Sequence, residues 1–520
     1  MPNHERMSSV DTAWLRMDSP GNSMMIVGVS ATATPVRPDD FRRMLEHRLL
    51  CFGRFRQRAV GDALGASWVE DESFDLDAHL KLVTLPAPAG KAELESLAAE
   101  LASTSLDPRR PLWQFHFVPH YRDGSAWVMR VHHCYADGIA MVRVLLSMTE
   151  QDPAPALAPR ANRRRGKAAP RAGLDVLPIL NWVEQLVQPA EDIVENALAE
   201  GAKLLEGGVH QLFHPDRLAA VAAQAGGMAG EFARVLTLPD DPDTPLRGAL
   251  GGYKAVAWST PIPLHEVTTV GKALGCTVND VLMSTVAGAL GGHLRAQGFD
   301  TAGLRVRASV PVNLRSVDEP LSLGNRFGLV FVDLALGLAD PLQRVAVTRD
   351  TMVALKGSMQ PPMSLMTLGL MGMLPAAVQP PIVELFSRKA SAVVSNVPGP
   401  QSPLYLCGQR ISEMYFWVPQ SGSIGLGISI LSYAGQVHFG MISDRRVLDA
   451  PGPVVERFAP EFEKLLLAAT MGVLANRPRA PSGGRRAPGK AARKKAATRL
   501  RQLPSPRIDT VQQSPRIRPQ

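Results

Sequence analysis

Val131-His132-His133-Cys134-Tyr135-Ala136-Asp137-Gly138 is the stretch of this chain whose neighbours on both sides can be read most directly. Before it, Ser125–Val131 is apolar enough for a strand, and Trp113–Pro119 reads as a second, joined to it through the turn Arg122-Asp123-Gly124. After it, Ile139–Met148 is an apolar helix starting directly behind Gly138. Strand, short polar loop, helix is an α/β unit, and loops at that junction sit on rigid elements yet open toward a cleft. A buried imidazole needs partners for its nitrogens, so two adjacent histidines followed by Asp and Gly are hard to explain as packing alone. With a pKa near 6.5, histidine suits proton transfer near neutrality. The task that fits is activation of a hydroxyl or amine nucleophile. Asp137 can hold the loop through an ion pair, and Gly138 lets the chain turn sharply. A polar turn with a satisfied histidine remains the plain alternative.

Outward from that unit the α/β pattern continues. Asp39–Leu50 and Lys91–Leu106 carry apolar stripes at helical spacing. Beyond the linker, Thr277–Leu294 reads as a helix, Leu304–Val312 and Leu329–Leu334 as strands, and Ile424–Tyr433 with Gln436–Ser443 as a hairpin around Ala434-Gly435. Residues 152–173 are rich in Pro, Ala and Arg and cannot bury a core, which makes them a linker. The expected organisation is an N-terminal domain over 1–151, the linker, a helical connection over 174–236, a second α/β domain over 237–476 and a disordered basic tail over 477–520.

The 520 residues are enough for two or three domains, and 45% hydrophobic with 20% charged is ordinary for a globular chain. That excludes a wholly disordered, collagenous or multi-span membrane protein. The chain total of +8 is unevenly held. The tail from Arg477 carries +12 and Asp152–Ala172 carries +5, which leaves −9 for the rest. Cys51, Cys134, Cys276 and Cys407 are scattered, with no CxxC and no metal-ligand spacing, and such thiols fit a reducing compartment. No secretory leader is expected from Met1–Val10, and no spanning helix from a sequence without 18 uninterrupted apolar residues. Met366, Leu370, Met371 and Met373 form an apolar patch that suits either core packing or a surface for acyl chains. The basic tail lacks interleaved aromatics, so no nucleic acid is expected; an anionic lipid surface suits it better.

His132-His133-Cys134-Tyr135-Ala136-Asp137-Gly138 resembles the HHxxxDG motif of acyl-CoA-dependent acyltransferases related to chloramphenicol acetyltransferase. More narrowly, the chain resembles the bacterial wax ester synthase/diacylglycerol acyltransferase family. The resemblance rests on Met7–Leu15, Phe55-Arg56-Gln57-Arg58, Phe74–Leu80, Arg110-Pro111-Leu112-Trp113, Thr277–Val281, Ser395-Asn396-Val397-Pro398-Gly399-Pro400 and Tyr433-Ala434-Gly435, which run in order over roughly nine-tenths of the chain. Cys134, Tyr135, Gln114 and Asn313 depart from its usual pattern, and Tyr135 and Gln114 raise the question of acceptor preference.

The resemblance implies two chloramphenicol-acetyltransferase-like α/β domains (mixed sheets) with the active site in a tunnel between them. It implies a fatty acyl-CoA donor and a lipid alcohol acceptor, either diacylglycerol, giving triacylglycerol, or a long-chain alcohol, giving a wax ester. Acyl-CoA enters as a substrate; no cofactor and no metal are expected. His133 would be the proton acceptor, His132 a packing or hydrogen-bonding neighbour, Asp137 an orienting group and Gly138 the turn. Asn279 and Asp280 would meet substrate, Asn279 through an amide suited to developing negative charge; helix N-capping by either is an equal reading. Ser395-Asn396 reads first as a structural turn. The implied setting is cytoplasmic, peripheral to the inner face of a membrane or to lipid inclusions. Two rivals remain. One is a condensation-type transferase acting on an amine; the other is a non-catalytic lipid-binding or lipid-body protein.

Overall fold

A computed structural model describes residues 5–472 of the chain, apart from 20, 63–64, 154–233, 236 and 316–322. The expected linker beyond Pro153, the helical connection through residue 233 and the basic tail therefore lie outside the described residues.

Two mixed sheets carry the fold. The first runs in the order Tyr405–Leu406, Gln409–Trp417, Met25–Thr32, Gly124–His132, Trp113–Tyr121, Leu80–Leu82. All its neighbours are antiparallel except the last pair. The second runs Phe327–Leu334, Val306–Asn313, Ala392–Pro398, Leu426–Tyr433, Gln436–Asp444, Lys254–Trp258, with Ile262–Pro263 also on Gln436–Asp444. Its inner strand Leu426–Tyr433 is buried at every position and lies parallel to Ala392–Pro398. This strand alternates in sequence, yet its Ser429 and Ser432 are buried with the apolar positions, as in a strand covered on both faces. It turns back through Ala434 and Gly435, both at positive φ, so the expected hairpin forms with Tyr433 opposite Gln436. A small third sheet holds Glu5–Arg6, Gly65–Glu70 and Gln57–Asp62.

The strand Gln409–Trp417 comes from the 237–476 stretch but pairs with Met25–Thr32 in the first sheet. No local pattern announces that exchange, because an alternating strand carries no label for its partner. The helix Val278–Ala296 is buried almost all round, as a helix enclosed by others must be. It packs against the helices Pro341–Leu355, Phe458–Thr470 and Leu264–Leu274. The methionine-rich helix Gln360–Met373 lies on the helix Ser9–Met17 and on Phe327–Leu334. Met366 and Met371 are buried there, Leu370 is half-buried and Met373 is exposed, so the patch is core on one side and surface on the other. Among the described residues no single helix is long and apolar enough to cross a membrane, and no cluster of side chains could hold a metal ion.

Candidate active site

The strand Gly124–His132 ends at His132, and the helix Gly138–Met148 begins six residues later. His133 lies in that turn. Its backbone N–H donates to the Met24 carbonyl at 2.7 Å, and its own carbonyl accepts from Asn325 Nδ2 at 2.7 Å. The ring stacks on Trp14, centroids 4.2 Å apart and 24° between planes, with Phe327 tilted against it at 5.5 Å. Although only 3% of the residue is exposed, it borders a cleft enclosing about 990 Å³, open solvent included. The cleft is walled by Trp14 and Asp137–Ile139 on one side and by Ser309–Asn313, Phe327 and Ser395–Pro398 on the other. Nδ1 of His133 is buried without a hydrogen-bond partner. Burial pushes its pKa down to about 4, against an opposing pull from Asp137. At neutral pH the ring is therefore uncharged and able to accept a proton.

His132 points elsewhere. Its Nδ1 accepts from the Cys134 N–H at 3.2 Å, and its Nε2 stands 3.9 Å from the Asp18 carboxylate. It does not line the cleft. Asp137 caps the helix, accepting from the Ala140 N–H at 2.9 Å, and its other oxygen takes the Arg326 N–H at 2.9 Å and the Arg315 guanidinium. Arg315 also donates to the Gly324 carbonyl at 2.6 Å. The loop is thus tied across the cleft to a residue 178 positions away, and a buried charge is paired as it must be. Gly138 takes the first helical position and has open space where a Cβ would stand.

Asn279 and Asp280 divide. Asp280 Oδ2 accepts from the Thr277 N–H at 2.8 Å while Thr277 Oγ1 accepts from the Asp280 N–H at 3.1 Å, a reciprocal capping box. The cap itself is Thr277, neither of the two residues named from the sequence. Asn279 does not reach the cleft; its Oδ1 accepts from Asn396 Nδ2 at 2.8 Å, and it is Asn396 that lines the wall. Ser395-Asn396 corrects the expectation of a turn. Both lie in the strand Ala392–Pro398, and the turn comes only after it.

Tyr135 and Gln114 both face away from the cleft. The Tyr135 hydroxyl donates to the Gln57 carbonyl, and Gln114 Oε1 accepts from Arg130 at 2.6 Å. Sequence reasoning missed Asn325 and Arg315 as parts of the site. Asn325 bridges two segments, donating from its side chain to Asp11 Oδ1 at 2.7 Å as well as to His133. A Gly-Asn pair directly before a strand, at Gly324-Asn325, was the available sign. Trp14 was quoted within the opening motif without a role.

Two mixed sheets with the HHxxxDG turn at an apolar cleft between them are the layout of a chloramphenicol-acetyltransferase-like fold. The family model for the wax ester synthase/diacylglycerol acyltransferase catalytic domain matches residues 7–282, and that for the WS/DGAT C-terminal domain matches 323–466. The chain belongs to the wax ester synthase/diacylglycerol acyltransferase family and is an acyltransferase. A Mycobacterium bovis protein carrying the name of a diacylglycerol O-acyltransferase is 30% identical over 425 residues, 78% of each chain. One from Mycobacterium tuberculosis, of the same description, is 28% identical over 89% of this chain and 90% of its own. The wax ester synthase/diacylglycerol acyltransferase of Marinobacter aquaeolei VT8 shares the fold at a TM-score of 0.60 and 23% identity, over 89% of this chain and all of that one. The first condensation domain of the calcium-dependent antibiotic synthetase does so at 0.54 and 15%, over 90% and 96%.

Proposed function

We propose that this protein transfers a fatty acyl group from acyl-CoA to the hydroxyl of a lipid alcohol, with His133 as the general base. The observation that carries the reading is the His133 ring, uncharged by burial and set in the wall of an apolar cleft. An alcohol attacks a thioester poorly until its proton is removed. His133 takes that proton as the oxygen attacks the carbonyl carbon, the C–S bond breaks, and the proton passes to the departing CoA thiolate. Asp137, locked to Arg315, holds the turn and favours the transient imidazolium. Trp14 fixes the ring plane. Asn396, oriented by Asn279, offers an amide to the oxygen that gains charge. No covalent acyl-enzyme is required, since the thioester is already activated. Diacylglycerol is favoured as acceptor by the names its mycobacterial relatives carry. Such substrates place the protein at a membrane or lipid-inclusion surface.

Thiol release from palmitoyl-CoA tests this, with hexadecanol, diacylglycerol and an amine as alternative acceptors. Release is expected with an alcohol, and His133→Ala should reduce it by about 10²–10⁴-fold. Near-full activity of that variant removes His133 from the chemistry. An absence of release with every acceptor favours a lipid-binding role, and release with the amine alone a condensation-type transferase.

A further inference from the structure

Asp11 and Trp14 stand three residues apart on the helix Ser9–Met17, a spacing that puts both on one face. Trp14 stacks on the His133 ring. Asp11 reaches the same residue by another route. Its Oδ1 accepts twice from Asn325, from the backbone N–H at 3.0 Å and from Nδ2 at 2.7 Å. The other hydrogen of that amide goes to the His133 carbonyl at 2.7 Å. Asp11, Asn325 and His133 are all buried.

The segment that carries Asn325 is itself laid across the turn. The Gly324 N–H donates to the Tyr135 carbonyl at 2.9 Å, the Gly324 carbonyl accepts from the Asp137 N–H at 3.4 Å, and the Arg326 N–H donates to the Asp137 carboxylate at 2.9 Å. Gly324 has φ +103°, and a Cβ there would stand 3.3 Å from the Asp11 carboxylate. The crossing therefore calls for glycine at this position.

Both hydrogens of the Asn325 amide are committed to oxygens, which fixes which end of the side chain is nitrogen. Its Oδ1 is left buried without a hydrogen-bond partner, and so is His133 Nδ1. Two buried acceptors left unpaired are costly, and a proton on Nδ1 gives each a partner. Burial lowers the pKa of the ring, but Asp137, the residue's own backbone and the Asn325 side chain all favour a proton there. Of the neighbouring side chains, Asp137 has its oxygens taken by the Ala140 N–H, the Arg326 N–H and Arg315. His132 turns its nitrogens to Cys134 and Asp18. Asn325 has an acceptor to spare.

We propose that Asp11 and Asn325 are positioning residues for the base: Asn325, gripped by Asp11, ties down the His133 main chain and accepts from its Nδ1–H, which leaves Nε2 to take the proton of the alcohol. The inference rests on the proposed role of His133 and names what sets its tautomer, since the bond made by one ring nitrogen decides the state of the other.

Ring-15N-labelled histidine in the full chain reports that tautomer without any turnover, with the His133 signals assigned by their loss in His133→Gln. At neutral pH the parent protein should carry the proton on Nδ1. Asn325→Ala and Asp11→Ala should each give a mixture of tautomers, with kcat reduced about 10²-fold. KM for acyl-CoA should stay within about threefold, as when an interaction is lost from the transition state alone. Asp11→Asn keeps an acceptor for Asn325 and should recover the Nδ1–H signal and part of kcat. A purely structural role would lower Tm in these variants without moving the tautomer. A proton on Nε2 in the parent overturns the proposal, and that measurement requires no variant to fold. An unaltered Nδ1–H signal in both alanine variants, at native circular dichroism, overturns it as well. Near-full turnover in His133→Ala speaks against the base itself, while the tautomer shift still decides whether Asn325 holds the ring.

Discussion

Two aspartates serve two helix beginnings in this molecule, and their partners differ in reach. Asp280 makes its hydrogen bonds within its own turn, to Thr277 three residues away, and its other carboxylate oxygen is buried without a partner. Asp137 also caps locally, on the Ala140 N–H, but its remaining oxygen is engaged by Arg315 and the Arg326 N–H from the other half of the chain. The first arrangement stabilises a helix and nothing else. The second couples the loop carrying His133 to the opposite wall of the cleft, so the loop is correctly placed only when both halves are folded together.

The sharpest way to break that contrast is Arg315→Met. It leaves the Asp137 carboxylate buried beside an apolar chain, and removing one partner of a buried pair costs about 3–5 kcal/mol. Urea unfolding measures the loss, and kcat should fall with it because the turn loosens. A loss under about 1 kcal/mol would show that the backbone bonds alone hold Asp137, and the two junctions would then be equivalent.

The next effect separates burial from function. His438 is as buried as His133, set between Tyr415 and Tyr433, and burial pushes its pKa down to about 4 as well. Yet it does not line the reaction cleft. The sign of its pH effect is fixed. The unfolded histidine, with a pKa near 6.5, binds protons before the folded one, so this stability is present above about pH 6.5 and is lost as pH falls toward 4. Between pH 7 and pH 5 wild type should lose on the order of 2 kcal/mol more than His438→Gln; the difference between the two proteins cancels the carboxylates, some of which titrate in the opposite sense. Equal losses would mean that the ring is not held neutral. His133 should add a kinetic counterpart, with kcat/KM for the alcohol, measured at saturating acyl-CoA, holding below about pH 6.5 where an ordinary histidine base would already be protonated.

These contrasts also mark what the sequence made legible. Period and turn chemistry located the strands around residue 113 and residue 125, the helix after Gly138 and the hairpin at Ala434-Gly435, because each depends on neighbours a few residues apart. The loop with His133 was legible for the same reason. What stayed hidden depends on distance along the chain: Arg315 reaching Asp137, Asn325 joining Asp11 to His133, and Gln409–Trp417 entering the first sheet. The reading of Asn279 fell between. The polar Asn-Asp pair pointed to a helix start and a cleft, but only the packed strand Ala392–Pro398 shows that Asn396 faces the cleft and Asn279 stands behind it.

The smallest effect belongs to the local junction. Thr277→Ala removes a hydroxyl that accepts from the Asp280 N–H and leaves the Asp280 carboxylate still bound to the Thr277 N–H. An N-cap threonine lost to alanine costs about 0.5–2 kcal/mol, and the helix Val278–Ala296 is so enclosed by its neighbours that fraying should stop within the first turn. Tm should therefore drop by a few degrees, while kcat changes little unless the first turn carries Asn279 away from Asn396. Asn279→Ala supplies the control. If Thr277→Ala lowers kcat as far as Asn279→Ala does, the two residues act through one another, and this junction is coupled to the chemistry as Asp137 is.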